Sequence, residues 1–410
     1  VAPRVTIVGA SLAGLRSAEA VRALLPDARI TLIGDEPHAP YNRPPLSKDV
    51  AEQLAGADAE TQQAALAKLT FKHRLPDAGL DWRLGVKATG FDADARSVRL
   101  SDGGRIAHDW LIAASGLRPR RLPFAGAEAR RHVLRSFDDA ARLGAQLVPG
   151  ARMLVVGAGF IGCEIAATAA HLGLSVTVIE PQAAPMLAAL GPDVAQAMAS
   201  FHRARGIDLR CGLTVTGLSD ANGVTLTLSD GSTVTGDLLV EAVGSLPNTE
   251  WLTDPALDLS NGVLTDATLT APGNPRLLAV GDLARFPNPL FGPAPRRVEH
   301  WCVPGQTAKR AAETIAARAA GHDPAPTFAP MPSFWSDQHG MRLQSFGAPA
   351  LADAIRIAEG RLDRLGQEPC LVEYLQGGRL IGLLGLGLSP AHLTRHRPRL
   401  DAALNETVAA

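Results

Sequence analysis

Residues 4–18 read RVTIVGASLAGLRSA, and residues 152–166 read RMLVVGAGFIGCEIA. Six of these fifteen positions are identical at an offset of 148 residues. Each stretch is a short apolar β run that breaks into a glycine-rich turn and continues as an alanine-rich helix. A second β-branched run follows in each copy, at 29–33 and 175–179, and each ends near an acid. Strand, turn, helix, strand is the unit of a parallel sheet. A second matched pair lies further on, SVRLSDGGRIAHDWLIAASGLRP at 97–119 and TLTLSDGSTVTGDLLVEAVGSLP at 225–247, with nine of twenty-three positions identical. The shared Ser-Asp-Gly predicts a hairpin turn in both copies. The chain therefore contains two diverged copies of one α/β plan.

The glycine turns are Gly9-Ala10-Ser11-Leu12-Ala13-Gly14 and Gly157-Ala158-Gly159-Phe160-Ile161-Gly162. In such a turn the first glycine permits the bend and the second admits a pyrophosphate. The third lets the helix pack on the strand. The helix N-terminus then offers unpaired N–H groups and a partial positive charge to the phosphates. Ser11 departs from glycine at the second position but is small. Asp35 and Glu180 stand where a carboxylate accepts from the ribose of an adenosine. No Lys or Arg occurs in 181–189 to receive a 2′-phosphate, so the second site is expected to prefer NADH over NADPH. Two dinucleotide sites imply two dinucleotides that exchange electrons.

The rest of the composition excludes other classes. The 410 residues carry 40 basic and 41 acidic side chains, so no global field recruits nucleic acid or a membrane surface. Only five of the basic residues are lysines. The cysteines, 163, 211, 302 and 370, contain no CxxC spacing for zinc, a thiolate-held cluster or a redox disulfide. No apolar run reaches a membrane span of roughly 18 residues. The start of the chain reads as a strand rather than a signal peptide, because its pattern returns at 152–166; a cytoplasmic enzyme is expected. His392 and His396 are spaced i, i+4, but no carboxylate joins them in the sequence and arginines crowd them, so no metal site is expected.

Between the first copy's elements lies Pro40-Tyr41-Asn42-Arg43-Pro44-Pro45-Leu46-Ser47-Lys48. Later come Gly281-Asp282, Glu299-His300-Trp301, and Ser333-Phe334-Trp335-Ser336-Asp337-Gln338. In this order the stretches resemble the flavoprotein ferredoxin reductases that serve oxygenases, a family with a glutathione-reductase-like fold. The resemblance runs from residue 4 to about 347. It implies two Rossmann-like domains, one for FAD (1–115 with 246–322) and one for NAD (116–245), and a smaller α+β C-terminal domain (323–410). It also implies the function: FAD takes hydride from NADH and passes electrons singly to a small acidic iron–sulfur ferredoxin, which supplies an oxygenase.

The same resemblance assigns roles. Gly9, Ser11, Leu12, Ala13 and Gly14 hold the FAD pyrophosphate, Asp35 the adenine ribose and Ala88 the adenine. Arg43 and Lys48 form a basic pair beside the flavin. Arg135, Ser115, Gly116, Gly281, Asp282, Glu299, His300 and Trp301 complete the FAD contacts. Gly157, Gly159, Phe160, Ile161, Gly162, Glu180 and Gly244 bind NAD. Lys48, Glu164 and Trp335 act at the nicotinamide, with Glu164 and Lys48 expected to meet. Glu164 also reads as a solvated helix acid, and Trp335 as a core aromatic. Pro304-Gly305 departs from the usual start of the helix after Trp301.

Disulfide reductases and the cysteine-bearing NADH peroxidases share the architecture but need a cysteine before residue 163, and there is none. The remaining alternatives are a rubredoxin reductase, or a binding module resembling apoptosis-inducing factor that does not turn over. A basic docking face for the ferredoxin is expected from Lys309, Arg310, Arg296, Arg297, Arg395, Arg397 and Arg399.

Overall fold

The computed structural model describes residues 2–73, 75–76, 79–220 and 223–405. The chain divides into two compact units. The first comprises Val1–Asn42, Thr70–Arg118 and Leu246–Ser333, and the second Arg43–Leu69, Pro119–Ser245 and Phe334–Ala410.

In the first unit Arg4–Val8 lies between Arg29–Gly34 and Trp110–Ala113, parallel to both. Leu80–Leu84 and Asn274–Ala279 extend the sheet, with Thr270–Ala271 as an antiparallel edge. The central strands are apolar because both faces of the sheet are covered: the packed helices Leu12–Leu24 and Val303–Ala319 and the antiparallel sheet of Ala88–Asp92, Ser97–Leu100 and Arg105–Ala107 share one buried core with it. Ile7, Leu32, Leu111 and Leu278 are fully buried. The second unit repeats the arrangement: Arg152–Val156 lies between Ser175–Glu180 and Leu238–Glu241, all parallel.

The duplication extends to side chains. Arg4 grips Asp109 through its backbone N–H (2.9 Å), Nε (3.2 Å) and Nη2 (2.9 Å). Arg152 grips Asp237 through the same three groups at 2.8, 3.3 and 2.8 Å. Each arginine fork ties the start of the first strand to the residue preceding the strand beside it. Both expected hairpins form, as Ser97–Leu100 with Arg105–Ala107 and as Val224–Leu228 with Thr233–Gly236.

The second unit also contains an antiparallel sheet ordered Ser333–Gln338, Met341–Gly347, Arg379–Leu386, Cys370–Gln376, Ala354–Glu359. The helix Pro390–Asn405 packs on it through Leu393, Leu400 and Leu404. The helix after Trp301 spans Val303–Ala319. Pro304 sits in its first turn, where a missing N–H has no intrahelical partner to lose. No helix among the described residues is long and apolar enough to cross a membrane.

Candidate functional site: two dinucleotide loops and a buried carboxylate

The two glycine loops leave the C-terminal ends of their sheets at the point where strand order reverses, the ligand crevice of open α/β sheets. A cleft of about 800 Å³ lined by Pro3, Arg4, Leu25, Asp109 and Ala316 lies at the start of strand Arg4–Val8 instead, away from the loops.

Backbone geometry separates the glycines by cause. Gly9 and Gly157 have φ of +120° and +98°, and a Cβ on either would lie 2.0 or 2.3 Å from the carbonyl oxygen of Ala114 or Ala242. Gly14 and Gly162 face the carbonyls of Gly9 and Gly157, with a built Cβ at 1.8 and 2.0 Å. The protein's own backbone thus dictates the first and third glycines. Gly159 differs: its φ is −72°, and a Cβ there would meet nothing within 4 Å. Nothing in the chain requires glycine at this position, and the space it faces is open. It caps the helix Phe160–His171 without a side-chain bond, as Ser11 caps Leu12–Leu24. Both helices therefore present free first-turn N–H groups, and the residues fit a bound pyrophosphate in each unit.

Gly281 packs against the loop of the first unit. A Cβ on Gly281 (φ +66°) would lie 2.9 Å from Cβ of Ala13 and 3.9 Å from Pro304. The Gly281 N–H donates to Thr307 Oγ1 at 2.9 Å, so Gly281-Asp282 sits against the helix that follows Trp301. Arg297 donates to the Asp282 carbonyl at 3.0 Å and pairs with Glu299 at 2.8 Å. The Trp301 indole donates to Asn42 Oδ1 at 3.3 Å. Burial lowers the His300 pKa to about 4, so its ring is neutral at neutral pH. Asp35 is exposed just past its strand; Val86 N–H bonds the Gly34 carbonyl, which brings the segment leading to buried Ala88 alongside. Ser115 is a joint: its hydroxyl donates to the Asn248 carbonyl at 2.7 Å and accepts from the Trp251 indole at 3.2 Å.

In the second unit Glu180 is buried at the end of its strand. It accepts from the N–H of Ala158 at 2.6 Å and of Gln182 at 2.9 Å, so the acid also pins the loop. Arg43 donates to the Arg135 carbonyl at 2.7 Å, which joins two of the expected flavin residues. A capping box between Ser136 and Asp139 fixes the chain just after Arg135.

Glu164 is not a solvated helix acid. It is 5% exposed, and three donors reach its carboxylate, two on Oε2 and one on Oε1, which leaves Oε1 one acceptor site. Lys48 Nζ lies 2.8 Å from Oε2, Ser47 Oγ donates to the same oxygen at 2.5 Å, and Ser336 Oγ donates to Oε1 at 2.6 Å. Lys48 Nζ also donates to the Pro44 carbonyl at 3.1 Å. A buried charge needs this number of donors to offset its lost hydration.

A line of donors stands behind Ser336. Gln338 Nε2 donates to Ser336 Oγ at 2.9 Å. Gln338 Oε1 lies 2.9 Å from His202 Nε2, and His202 Nδ1 lies 3.1 Å from His339 Nε2. Gln338 Oε1 can only accept, which fixes the His202 proton on Nε2 and leaves Nδ1 to accept from His339. Burial lowers both histidine pKa values to about 4, so both rings are neutral. Every hydrogen in the chain His339, His202, Gln338, Ser336 then points toward Glu164. Aligned donors of this kind strengthen one another.

Strand alternation explains the grouping. Phe334, Ser336 and Gln338 share one face, and the Phe334 ring lies against Phe160 of the second loop, 4.9 Å between centroids and tilted by 52°. Trp335 and Asp337 face the other way, beside Arg342, whose guanidinium lies 5.8 Å from the Trp335 ring and 3.8 Å from Asp337. Ser47, Ser336, Gln338 and His202 were not singled out from the sequence. The first three belong to the motif stretches, and strand period would have placed Ser336 and Gln338 together.

The expected docking face is corrected in part. Arg310 is buried, donating to the Ala267 carbonyl at 3.0 Å and to the Ala325 carbonyl, and is unavailable to a partner. Arg297 is engaged as described, and Arg399 pairs with Glu373 at 3.0 Å. Lys309 is well exposed.

Residues 3–311 match the model of the pyridine nucleotide-disulphide oxidoreductase family. Putidaredoxin reductase of Pseudomonas putida is 35% identical over 392 residues, covering 92% of this chain and 87% of that protein. The ferredoxin–NAD(+) reductase component of the Burkholderia cepacia anthranilate 1,2-dioxygenase system is 37% identical over 346 residues, covering 83% and 81%. The crystal structure of the covalent putidaredoxin reductase–putidaredoxin complex aligns with a TM-score of 0.85 at 29% identity, covering 99% of this chain and 98% of that one. All four cysteines here are free. With two glycine loops of one geometry, a buried Glu–Lys pair, and relatives that are ferredoxin reductases along nearly their whole length, the chain belongs to the pyridine nucleotide-disulphide oxidoreductase family.

Proposed function

We propose that the chain is an NADH-dependent flavoprotein ferredoxin reductase, which draws electrons from NADH through FAD and delivers them singly to a small acidic iron–sulfur ferredoxin serving an oxygenase. The observation that carries this reading is the pair of glycine loops of one backbone geometry, together with the open space that Gly159 faces in the second. Ser11 with the uncapped helix Leu12–Leu24 would hold the FAD pyrophosphate, and Gly159 with Phe160–His171 that of NAD. FAD, when bound, supplies the step from an electron pair to single electrons; the chain supplies binding and orientation.

Asp35 and Ala88 receive the adenosine of FAD in this reading, and Gly281, Asp282, Glu299, His300 and Trp301 line its flavin end. Arg43, Arg135 and Trp335 are assigned to the flavin on the family resemblance. Glu180 accepts from the NAD ribose and repels a 2′-phosphate. Glu164, held rigid by Lys48, Ser47 and Ser336, orients the nicotinamide amide. Its neighbours fix its position before the dinucleotide arrives, so little ordering is left to binding. The domain reading, FAD by 1–115 with 246–322, NAD by 116–245 and a C-terminal 323–410, and a cytoplasmic location belong to the same proposal.

Anaerobic mixing with NADH, followed by addition of ferredoxins and rubredoxins, tests it. Flavin bleaching and then reduction of a ferredoxin supports the proposal. Preferential reduction of rubredoxin would favour the rubredoxin alternative. A long-lived reduced complex that no carrier oxidises would point to a redox-sensing module.

A further inference from the structure

No carboxylate neighbours His392 and His396 in the sequence. The fold supplies one. Glu359 ends the edge strand Ala354–Glu359, and its two oxygens reach one imidazole each: Oε2 lies 2.9 Å from His392 Nε2, and Oε1 lies 3.1 Å from His396 Nε2. The imidazoles are one helical turn apart and stack with centroids 5.6 Å apart at 15° between planes. One ligand atom from each of the three residues falls within 4.8 Å of the others. Among the described residues this is the group of three metal-capable side chains that meets that condition.

We propose that Glu359, His392 and His396 form a site for a divalent d-block cation of the Zn²⁺ class. The donor set carries the argument. Two imidazole nitrogens and one carboxylate match Zn²⁺, Co²⁺ or Ni²⁺, whereas Ca²⁺ and Mg²⁺ take oxygen. Tetrahedral bonds of about 2.0–2.2 Å place ligand atoms roughly 3.3–3.5 Å apart. The Glu–His separations are already near that value. Only a small spreading of the carboxylate from the imidazoles, with the two nitrogens brought to similar separation, admits the ion. The site is partly exposed, with side-chain exposures of 38%, 39% and 21%, so an ion can enter and water can complete its coordination.

Binding requires a tautomer change. Both Nε2 atoms face a carboxylate and carry hydrogen in the empty site; each must move its proton to Nδ1, or release one if charged, before Nε2 can ligate. The ion would clamp the N-terminal turns of the helix Pro390–Asn405 to the strand end, a structural role separate from the dinucleotide loops.

The test uses the full-length protein stripped with chelator and titrated with Co²⁺ and Zn²⁺. One equivalent of Co²⁺ should produce visible d–d absorption, bleached by one equivalent of Zn²⁺. His396→Gln and Glu359→Gln should each weaken Zn²⁺ binding about tenfold or more, as loss of metal-supporting groups does elsewhere, while NADH-driven flavin reduction is unchanged. His171→Gln, a helix histidine elsewhere, should leave binding unaltered. Zn²⁺ stoichiometry and affinity that persist in both site variants, or no binding in the stripped wild type, would overturn the proposal.

Discussion

Removing the Glu164 carboxylate alone should destabilise the protein far more than removing it together with its lysine. Glu164→Ala deletes the anion and leaves the Lys48 ammonium with the Pro44 carbonyl, its side chain only 13% exposed. Breaking a buried pair from one side costs about 3–5 kcal/mol. At about 2–4 °C per kcal/mol for a unit of this size, thermal melting should fall by roughly 6–20 °C. The double variant Glu164→Ala/Lys48→Met removes both charges, and Met fills much of the lysine stem's volume. It should recover at least about half of the loss, roughly 1.5–2.5 kcal/mol. Melting of the flavin-saturated protein by circular dichroism, with all four corners of the cycle, measures this. Glu164→Ala losing less than about 1 kcal/mol, or a double variant no better than the single, would refute the claim that this is a largely buried, mutually dependent pair.

Gly159→Ala should fold normally, within about 1 kcal/mol of wild type, yet raise KM for NADH, because its methyl group enters the space reserved for pyrophosphate; Gly157→Ala should fail to fold at all, and expression with thermal melting separates the two. Glu180→Ala should narrow the NADH over NADPH preference in kcat/KM from an expected tenfold or more, which is about 1.4 kcal/mol, and should also weaken NADH itself, since Ala158 N–H loses its acceptor. The buried neutral His202 has a folded pKa of about 4 against 6.5 when unfolded. Between these values the unfolded chain binds the proton and the folded one does not, so stability falls as pH drops from about 6.5 to about 4, by up to roughly 3 kcal/mol from this group. His202→Asn should flatten that part of a stability–pH curve; an equally steep curve would assign the acid sensitivity elsewhere. Ferredoxin-dependent turnover should weaken with salt while NADH oxidation by ferricyanide does not, and charge reversal at Lys309 should raise KM for ferredoxin.

Local pattern made the loops legible, because steric demands at Gly9, Gly14, Gly157 and Gly162 act within a few residues and leave a mark in the letters. The paired hairpins and both βαβ units were readable for the same reason. Glu164 with Lys48 was legible only through family resemblance, since the two are 116 residues apart and no periodicity links them. The donors behind Glu164 were hidden because Ser336, Gln338 and His202 have meaning only once strand Ser333–Gln338 lies against the helix Pro192–Arg203. Arg310 misled because its helix looks solvent-facing in sequence, while the chain after the helix returns to cover it and supplies the Ala325 carbonyl. Glu359 is not legible beside His392 and His396 in the sequence because 33 residues and two strands separate it from His392.

The central claim is that electrons enter as a pair from NADH and leave singly to an iron–sulfur protein. Anaerobic stopped-flow spectroscopy of the FAD-loaded protein tests this most directly, with an oxidised two-iron ferredoxin in the second syringe after one equivalent of NADH. The account predicts that NADH bleaches the flavin band at one FAD per chain and that two equivalents of ferredoxin are then reduced per NADH. Flavin that stays reduced in the presence of excess ferredoxin, or that is not bleached by NADH, would contradict it.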